Sequence, residues 1–348
     1  MKLETIVRTN IKNLNPYVSA RDESQEGIFL DANENSFGSV IQSEVKNLNR
    51  YPDPNQTDLR NSLSKYLKVD QSNLFFGVGS DEIIDLLIRI FCEPRQSNVI
   101  IPQPTYGMYE VACDINNVEV RKCNLDRNFD IELNSIRNTI DEYSRIIFLC
   151  SPNNPTGNLL SKDRIKLLAD LFNGIIFIDE AYIEFSENNS FLTELEQHNN
   201  VIISRTFSKS WGLAAARCGY CICNEYIINL LLKIKAPYTI NKFTEAVILK
   251  ALKKVKKKND FVNKILSEKK RLIEKLNPID DVVKIFPSDA NFLLVEFKEA
   301  QKVFTKLNEK GIRVRMKSDH PVLMKCLRIT IGTREENDLL IKTIKEMK

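Results

Sequence analysis

The chain has 348 residues, of which 43% are hydrophobic and 28% are charged, and its formal net charge is +4. This composition excludes disordered and fibrous proteins and predicts a large core, divided between two domains. The mild charge gives no support to nucleic-acid binding, and the lysine-rich run at 253–258 indicates a solvated helix face because no aromatic platform accompanies it.

Short apolar strands alternate with amphipathic helices from about residue 60 to residue 225. Helices are predicted between several strands, for example at 81–91 and 162–172. The predicted strands are 74–76, 98–101, 118–123, 146–150, 175–178, 201–204 and 218–223. Such alternation predicts an α/β domain with a mostly parallel sheet that helices cover on both faces.

The pattern changes after residue 225. Residues 243–276 are predicted to form one long lysine-rich helix, followed by a strand at 292–297, a helix at 300–310 and strands at 312–315 and 327–331. These elements predict a small α+β domain. The expected large domain spans 39–240, and the N-terminal arm (1–38) is expected to pack with the small domain (241–348).

The eight cysteines show no disulfide or zinc-site spacing, since 218, 221 and 223 lack a second ligand pair and fit a buried strand better. The N-terminus lacks the apolar segment of a signal peptide, and no run approaches roughly 18 apolar residues. We therefore expect a cytoplasmic protein with reduced thiols, no membrane span and no bound metal.

Lys209 is the first candidate for chemistry. It ends the run Thr-Phe-Ser-Lys just after the strand at 201–204, and Arg217 follows eight residues later. A lysine there can form a Schiff base with an aldehyde cofactor, while Ser208 and Arg217 can hold the cofactor's phosphate. Lys209 alone is weak support, because most lysines only contact water.

Polar side chains at two other strand ends strengthen this interpretation. Asp179 and Tyr182 follow the strand at 175–178, and Asn154 follows the strand at 146–150. A buried, unpaired carboxylate is costly, and the cationic ring nitrogen of pyridoxal phosphate would pair with it; a capping or surface aspartate is the alternative. Tyr182 and Asn154 can reach the ring's phenolic oxygen. Since ligands bind at the carboxyl ends of such strands, these residues predict a pyridoxal phosphate site.

Two further segments give weaker signals. Gly77 and Gly79 precede Ser80 and Asp81 at a predicted helix start, where free N–H groups bind phosphate, although a plain tight turn is the alternative. A third glycine is absent, which excludes a dinucleotide fingerprint. Tyr106 can stack on the cofactor ring or simply pack.

Arginines near the C-terminus are candidates for anion binding. Arg313, Arg315 and Arg328 lie in or before predicted strands, and Arg328 has apolar neighbours. Its planar guanidinium suits a carboxylate or phosphate, with a structural ion pair as the alternative.

Motifs along the whole chain follow the order of a known family. They are Leu-Asn-Pro-Tyr (14–17), Asp-Ala-Asn-Glu-Asn (31–35), Tyr-Pro-Asp (51–53), Pro-Thr-Tyr-Gly-Met-Tyr (104–109), Ser-Pro-Asn-Asn-Pro-Thr-Gly (151–157), Asp-Glu-Ala-Tyr-Ile-Glu-Phe (179–185), Arg-Cys-Gly (217–219), Ala-Pro-Tyr (236–238) and Cys-Leu-Arg-Ile-Thr-Ile-Gly-Thr-Arg-Glu-Glu (326–336). With these motifs the chain resembles the histidinol-phosphate aminotransferases, which belong to the fold-type I pyridoxal phosphate enzymes.

The resemblance implies a role for each candidate. Lys209 would carry pyridoxal phosphate and move a proton, Asp179 would pair with its ring nitrogen, and Tyr182 and Asn154 would contact its phenolic oxygen. The residues around its phosphate would be Ser80, Asp81, Ser208, Arg217 and Tyr51 of the partner subunit in a homodimer. Those at the substrate's anionic end would be Tyr17, Arg315 and Arg328. One departure is Ala-Ala-Ala at 214–216, where the family usually has Ala-Gly-Leu.

The implied reaction interconverts histidinol phosphate and 2-oxoglutarate with imidazole acetol phosphate and glutamate, in histidine biosynthesis. Two alternatives use the same scaffold: a decarboxylase of the threonine-phosphate type, and an aminotransferase for aromatic amino acids. A non-catalytic cofactor-binding regulator is disfavoured, because it would not need Lys209, Asp179, Tyr182, Asn154 and Arg217 together.

Overall fold

The computed structural model describes residues 2–16, 18–19, 31–36, 38–187, 189–317 and 320–347. The first part of the chain contains α1 (Thr9–Lys12), α2 (Thr57–Leu67), β1 (Leu74–Gly77), α3 (Ser80–Phe91), β2 (Asn98–Gln103), α4 (Met108–Ile115), β3 (Glu119–Asn124), α5 (Leu133–Thr139), β4 (Ser144–Cys150), α6 (Lys162–Leu171), β5 (Ile175–Asp179), β6 (Val201–Thr206), β7 (Gly219–Cys223), α7 (Glu225–Ile234) and α8 (Lys242–Leu252). The second part contains α9 (Val255–Leu276), β8 (Val282–Ile285), β9 (Phe292–Phe297), α10 (Ala300–Glu309), β10 (Arg315–Met316), β11 (Cys326–Thr330) and α11 (Arg334–Lys345).

The large sheet has the strand order β1-β7-β6-β5-β4-β2-β3, and β7 alone runs against the other strands. Alternate residues of each central strand point to opposite faces and enter two different apolar cores. Phe148 and Phe177 belong to one core, whereas Ile147 and Ile176 belong to the other. Burial on both faces explains why these strands are almost uninterrupted apolar runs. The predicted α/β fold is confirmed.

The strand ends gather the candidate residues at one edge of this sheet. In the register, Cys150 at the end of β4 lies opposite Asp179 at the end of β5. Thr206, at the end of β6, lies opposite Gly219, where the antiparallel β7 begins. The segments that follow β1, β2, β4, β5 and β6 therefore meet the segment that precedes β7.

The small sheet is antiparallel, with the order β10-β11-β9-β8. Leu327 and Ile329 of β11 point into a core that α9, α10 and α11 share with the sheet. Arg328, between them, therefore points to the opposite face of the sheet. Its register partners are Leu294 in β9 and Arg315 in β10.

The prediction of one helix over 243–276 is wrong, because α8 ends at Leu252 and α9 begins at Val255. Ile248 of α8 packs in a core of the large sheet, whereas Leu272 of α9 packs in the core of the small sheet. A single straight helix cannot reach both cores, so the chain turns at 253–254, where the Lys254 N–H donates to the Ala251 carbonyl (2.7 Å).

The first residues also pack differently from the expectation. Leu3 and Val7 are buried in a core of the large sheet, not against the small one. The Arg8 guanidinium binds Glu93 (3.0 Å), and the Arg8 N–H donates to the Ile90 carbonyl at the end of α3. Apolar burial and this ion pair attach residues 3–12 to the large sheet, while the domain boundaries near 38 and 240 stay a prediction.

The lysine-rich run is not uniformly solvated either. Lys258 is 9% exposed; its ammonium donates to the Tyr66 hydroxyl (3.3 Å) and lies 5.4 Å from the centre of the Trp211 ring. Among the helices of the described ranges, none has both the length and the apolar character needed to cross a membrane.

Candidate active site

A cavity of about 170 Å³ opens at the edge where the strand ends meet. It contains nine residues that the sequence singled out, drawn from the ends of β1, β2, β4, β5 and β6 and the segments that follow them. They are Ser80, Asp81, Tyr106, Asn154, Asp179, Tyr182, Ser208, Lys209 and Arg217. Their convergence follows from the parallel topology, which places the carboxyl ends of neighbouring strands side by side.

Asp179 forms the floor of the cavity and is 3% exposed. Its carboxylate accepts hydrogen bonds from the Tyr109 hydroxyl (2.9 Å) and the Ala181 N–H (3.0 Å). Burial raises the pKa of Asp179 to about 6, and the two hydrogen bonds only partly oppose this. A buried carboxylate with neutral donors is suited to a cationic partner.

Tyr109 is a site residue that the sequence interpretation missed. It is fully buried, and its ring stacks on Phe148 at a centroid distance of 4.9 Å. Its position three residues after Tyr106, on the first turn of α4, aims the hydroxyl at Asp179. The sequence feature that could have indicated Tyr109 is a hydroxyl group on an otherwise apolar helix face.

We expect Tyr109→Phe to retain the ring packing while removing a hydrogen bond that lowers the pKa of Asp179. The pKa of the carboxyl should therefore rise further, and the acid limb of the pH–activity profile should move upward by about one pH unit, since such a bond contributes about 1–1.5 kcal/mol. Tyr106→Phe is the matched control, because the Tyr106 hydroxyl donates to Asp81 (3.3 Å). An unmoved acid limb in Tyr109→Phe would contradict this role.

Lys209 reaches into the cavity from the loop after β6, with its nitrogen 5.4 Å from the centre of the Tyr182 ring. Partial burial lowers the pKa of its ammonium, and the positive charge of Arg328 lowers it further, whereas Asp179 and Asp81 act in the opposite direction. A lowered pKa increases the fraction of neutral amine, the form that acts as a nucleophile or base.

One end of the cavity is built for an anion. Gly79 precedes α3 with φ +78°, and a Cβ there would lie 2.8 Å from Nη2 of Arg217, so glycine permits the guanidinium to approach the helix start. The first N–H groups of α3 and the Arg217 guanidinium face the same space. The Asp81 carboxylate lies 3.9 Å from Nη2 of Arg217 and would repel an anion. We therefore expect the backbone N–H of Asp81, and not its side chain, to contact the anion.

Asn154 and Tyr182 line the cavity wall that faces the small sheet. The side-chain oxygen Oδ1 of Asn154 accepts a hydrogen bond from Nη1 of Arg328 (2.5 Å). The side-chain nitrogen Nδ2 of Asn154 can then donate to a ligand. Burial raises the pKa of the Tyr182 phenol, which keeps it protonated as a donor. The Arg328 guanidinium also lies 5.5 Å from the ring centre of Phe292.

Two of the predicted site residues lie outside this cavity, and a third is not among the described residues. Tyr51 lies outside this cavity; it is 48% exposed and stacks on Tyr238 with 4.4 Å between ring centres. Arg315 is exposed and opposite Arg328 in the strand register. Tyr17 lies outside the described residues.

Comparison with known proteins agrees with this geometry. The family described as aminotransferase class I and II matches residues 25–344. The chain belongs to this family. The histidinol-phosphate aminotransferase of Cytophaga hutchinsonii is 45% identical over 345 residues, covering 99% of this chain and 98% of the relative. That of Parabacteroides distasonis is 46% identical, covering 99% of both chains.

A solved structure supports the same relationship. The histidinol-phosphate aminotransferase from Clostridium acetobutylicum has a TM-score of 0.80 and 29% identity to this chain, covering 86% of it and 91% of the other chain. This aminotransferase therefore has the fold-type I architecture and uses pyridoxal phosphate. The residues of the cavity fit that cofactor: a lysine, a buried carboxylate without a salt-bridge partner among the described residues, and a helix start beside an arginine.

Proposed function

We propose that this aminotransferase exchanges an amino group between histidinol phosphate and 2-oxoglutarate, giving imidazole acetol phosphate and glutamate in histidine biosynthesis. The supporting observation is the identity of 45–46% over nearly the whole length of relatives with that name. The small substrates fit a site whose outer wall carries the guanidinium of Arg328, a group that recognises both phosphate and carboxylate.

The cavity residues would bind the cofactor as follows. Asp179 would pair with the protonated ring nitrogen, Tyr106 would pack on the ring face, and Tyr182 and Asn154 would donate to the phenolic oxygen. The phosphate contacts are the N–H groups of Ser80 and Asp81, the Ser208 hydroxyl and the Arg217 guanidinium. Pyridoxal phosphate supplies an aldehyde for amines and a ring that withdraws electrons from the reacting carbon.

Lys209 has two tasks in this proposal. Its amine would hold the cofactor's aldehyde when no substrate is present, and as a free amine it would act as the base that takes and returns the substrate's proton. The lowered pKa of Lys209 supports this, because it increases the fraction of neutral amine.

Arg328 is proposed as the main anion-binding residue, with Arg315 and Tyr17 as further contacts. We expect Arg328→Lys to keep the charge but lose the planar pair of donors, and to raise KM for both histidinol phosphate and 2-oxoglutarate by about tenfold or more, since a charge-assisted hydrogen bond contributes about 1.5–3 kcal/mol. Arg315→Lys, at an exposed position, should raise both KM values less than Arg328→Lys does. If only one substrate is affected, the two do not share this pocket, and Arg315 or Arg313 becomes the better candidate.

We also propose a cytoplasmic homodimer whose active sites are shared. Tyr51 is exposed on a loop with Glu34, whose carboxylate accepts from the Tyr51 N–H (2.7 Å) and from the Arg50 guanidinium (2.8 Å). Hydrogen bonds to Glu34 hold Tyr51 outside the cavity of its own chain. This position supports a role for Tyr51 at the cofactor phosphate of the neighbouring subunit.

Mixing two damaged chains tests the shared site. A Lys209→Ala chain and a Tyr51→Ala chain, each poorly active alone, should form heterodimers with one intact site, so activity should rise after co-refolding toward about a quarter of the wild-type value, because roughly half of random dimers are mixed and each has one intact site. Heterodimers that are confirmed by mass but give no gain would mean that Tyr51 does not act across an interface.

The substrate assignment is tested with purified, cofactor-loaded protein, histidinol phosphate and 2-oxoglutarate. We expect glutamate to form without carbon dioxide. Carbon dioxide released from threonine phosphate would instead identify a decarboxylase, and faster turnover of phenylalanine or tyrosine would identify an aromatic aminotransferase.

A further inference from the structure

Lys269 is a second buried lysine of α9, three helical turns after Lys258 and on the same face. It is 8% exposed, and its ammonium donates to the backbone carbonyls of Ser288 (2.7 Å) and Ala290 (3.0 Å). Burial lowers the pKa of Lys269, while the charge of Asp289 opposes that shift. An ammonium is rarely buried without such partners, and these two bonds tie the 288–290 loop to α9.

The 288–290 loop rests directly on the loop that carries Asn154. The Asp289 N–H donates to the Gly157 carbonyl (2.7 Å), and the Asp289 carboxylate accepts from the Leu159 N–H (3.0 Å). Gly157 has φ +88°, and a Cβ there would lie 2.6 Å from the Ser288 hydroxyl oxygen. Only glycine allows the two loops to approach this closely.

The Asn154 loop is itself rigid and joined to the Tyr106 segment. The Asn153 amide donates to the Pro104 carbonyl and to the Thr156 hydroxyl (both 2.8 Å), and its oxygen accepts from the Thr105 hydroxyl (2.8 Å). Hydrogen bonds therefore join two walls of the cavity, and the 288–290 loop contacts the Asn154 wall.

The same loop leads into β9, whose neighbour in the small sheet is β11 with Arg328. The position of the loop on the Asn154 segment thus sets how far Arg328 reaches toward Asn154. We propose that Lys269 is a positioning residue that, through the 288–290 loop, fixes the Arg328–Asn154 contact and so the anion-binding geometry of the site. This inference rests on the proposed function of Arg328.

Lys269→Met keeps an unbranched apolar stem but removes the terminal ammonium and its donors. We expect KM for histidinol phosphate and for 2-oxoglutarate to rise about tenfold, with a smaller change in kcat and in the visible absorbance of the bound cofactor, because Lys209 and Asp179 follow strands of the large sheet. Amide hydrogen exchange of the 153–159 segment should become faster. The Lys269→Met and Arg328→Lys effects should be less than additive, since both act on one contact.

Lys258→Met is the matched control: it removes another buried ammonium from the same helix face, but that ammonium contacts Tyr66 and Trp211. It should change neither KM nor exchange in the 153–159 segment. Asp289→Ala, at a partly exposed position, removes the acceptor of the Leu159 N–H and should reproduce the KM increase even if Lys269→Met folds poorly.

Unchanged KM values and exchange in both Lys269→Met and Asp289→Ala would overturn the proposal, as would an equal loss of kcat and cofactor content with no change in KM. If the wild-type protein prefers another anionic amine, the same comparison is made with that amine. A failure of the substrate assignment is then distinct from a failure of the positioning role.

Discussion

Lys209→Ala should abolish almost all turnover, with a fall of at least about 10⁴-fold, because one substitution removes both the cofactor's attachment point and the group that moves the proton. The fold should persist, since the Lys209 side chain lies in a solvent-accessible cavity and not in a packed core. Steady-state transamination together with thermal unfolding of the variant measures both outcomes.

The position of the attachment can be mapped independently of activity. Borohydride reduction of the wild-type protein, followed by peptide mapping, should place the cofactor on the peptide that contains Lys209. Lys258→Ala serves as the control lysine, because its ammonium lies between Tyr66 and Trp211, away from the cavity. A cofactor label on any other lysine would overturn the site assignment.

Asp179→Asn should lower kcat by about 10²–10³-fold or more, because removing one preorganised electrostatic group commonly costs about 3–4 kcal/mol. The asparagine keeps the shape and can still accept from the Ala181 N–H, so cofactor affinity should fall less than kcat. Activity within tenfold of the wild-type value would contradict the role of Asp179.

Asp179→Asn should also change how the stability of the cofactor-free protein depends on pH. The pKa of Asp179 rises from 3.8 to about 6 on folding, so between these values the folded state retains a proton that the unfolded chain loses. Stability from this group is therefore greatest below pH 4 and falls as the pH rises through about 6, by about 3 kcal/mol in total. Asp179→Asn should lack this loss and unfold at a higher temperature than cofactor-free wild type at pH 7.

Much of the site could be predicted because chemistry and topology point in the same direction. Asp179, Lys209 and Asn154 each follow an apolar strand, and parallel strands place their carboxyl ends at one edge. The position of the carboxyl ends of parallel strands, together with the order of the motifs, was enough to predict the nine cavity residues. Their individual roles stay a prediction that the variants above test.

Other structural features were not predicted, because the sequence patterns that indicate them are weak. Tyr109 lies within an apolar helix pattern, and only the packing of α4 against β4 and β5 directs its hydroxyl at Asp179. The short β8 and the break between α8 and α9 have no strong local marker, because lysines at 253–254 are compatible with a continuous helix.

The sequence by itself determined the α/β order, the mostly parallel large sheet, the chemical types at the strand ends and the family. Those properties depend on local periodicity and on residue type, which a single chain displays directly. Only the tertiary structure decided that residues 3–12 pack on the large sheet, that Lys258 and Lys269 are buried, and that Arg328 rests on Asn154. Each of these depends on contacts between residues far apart in the chain, where burial and geometry, not local pattern, select the partner.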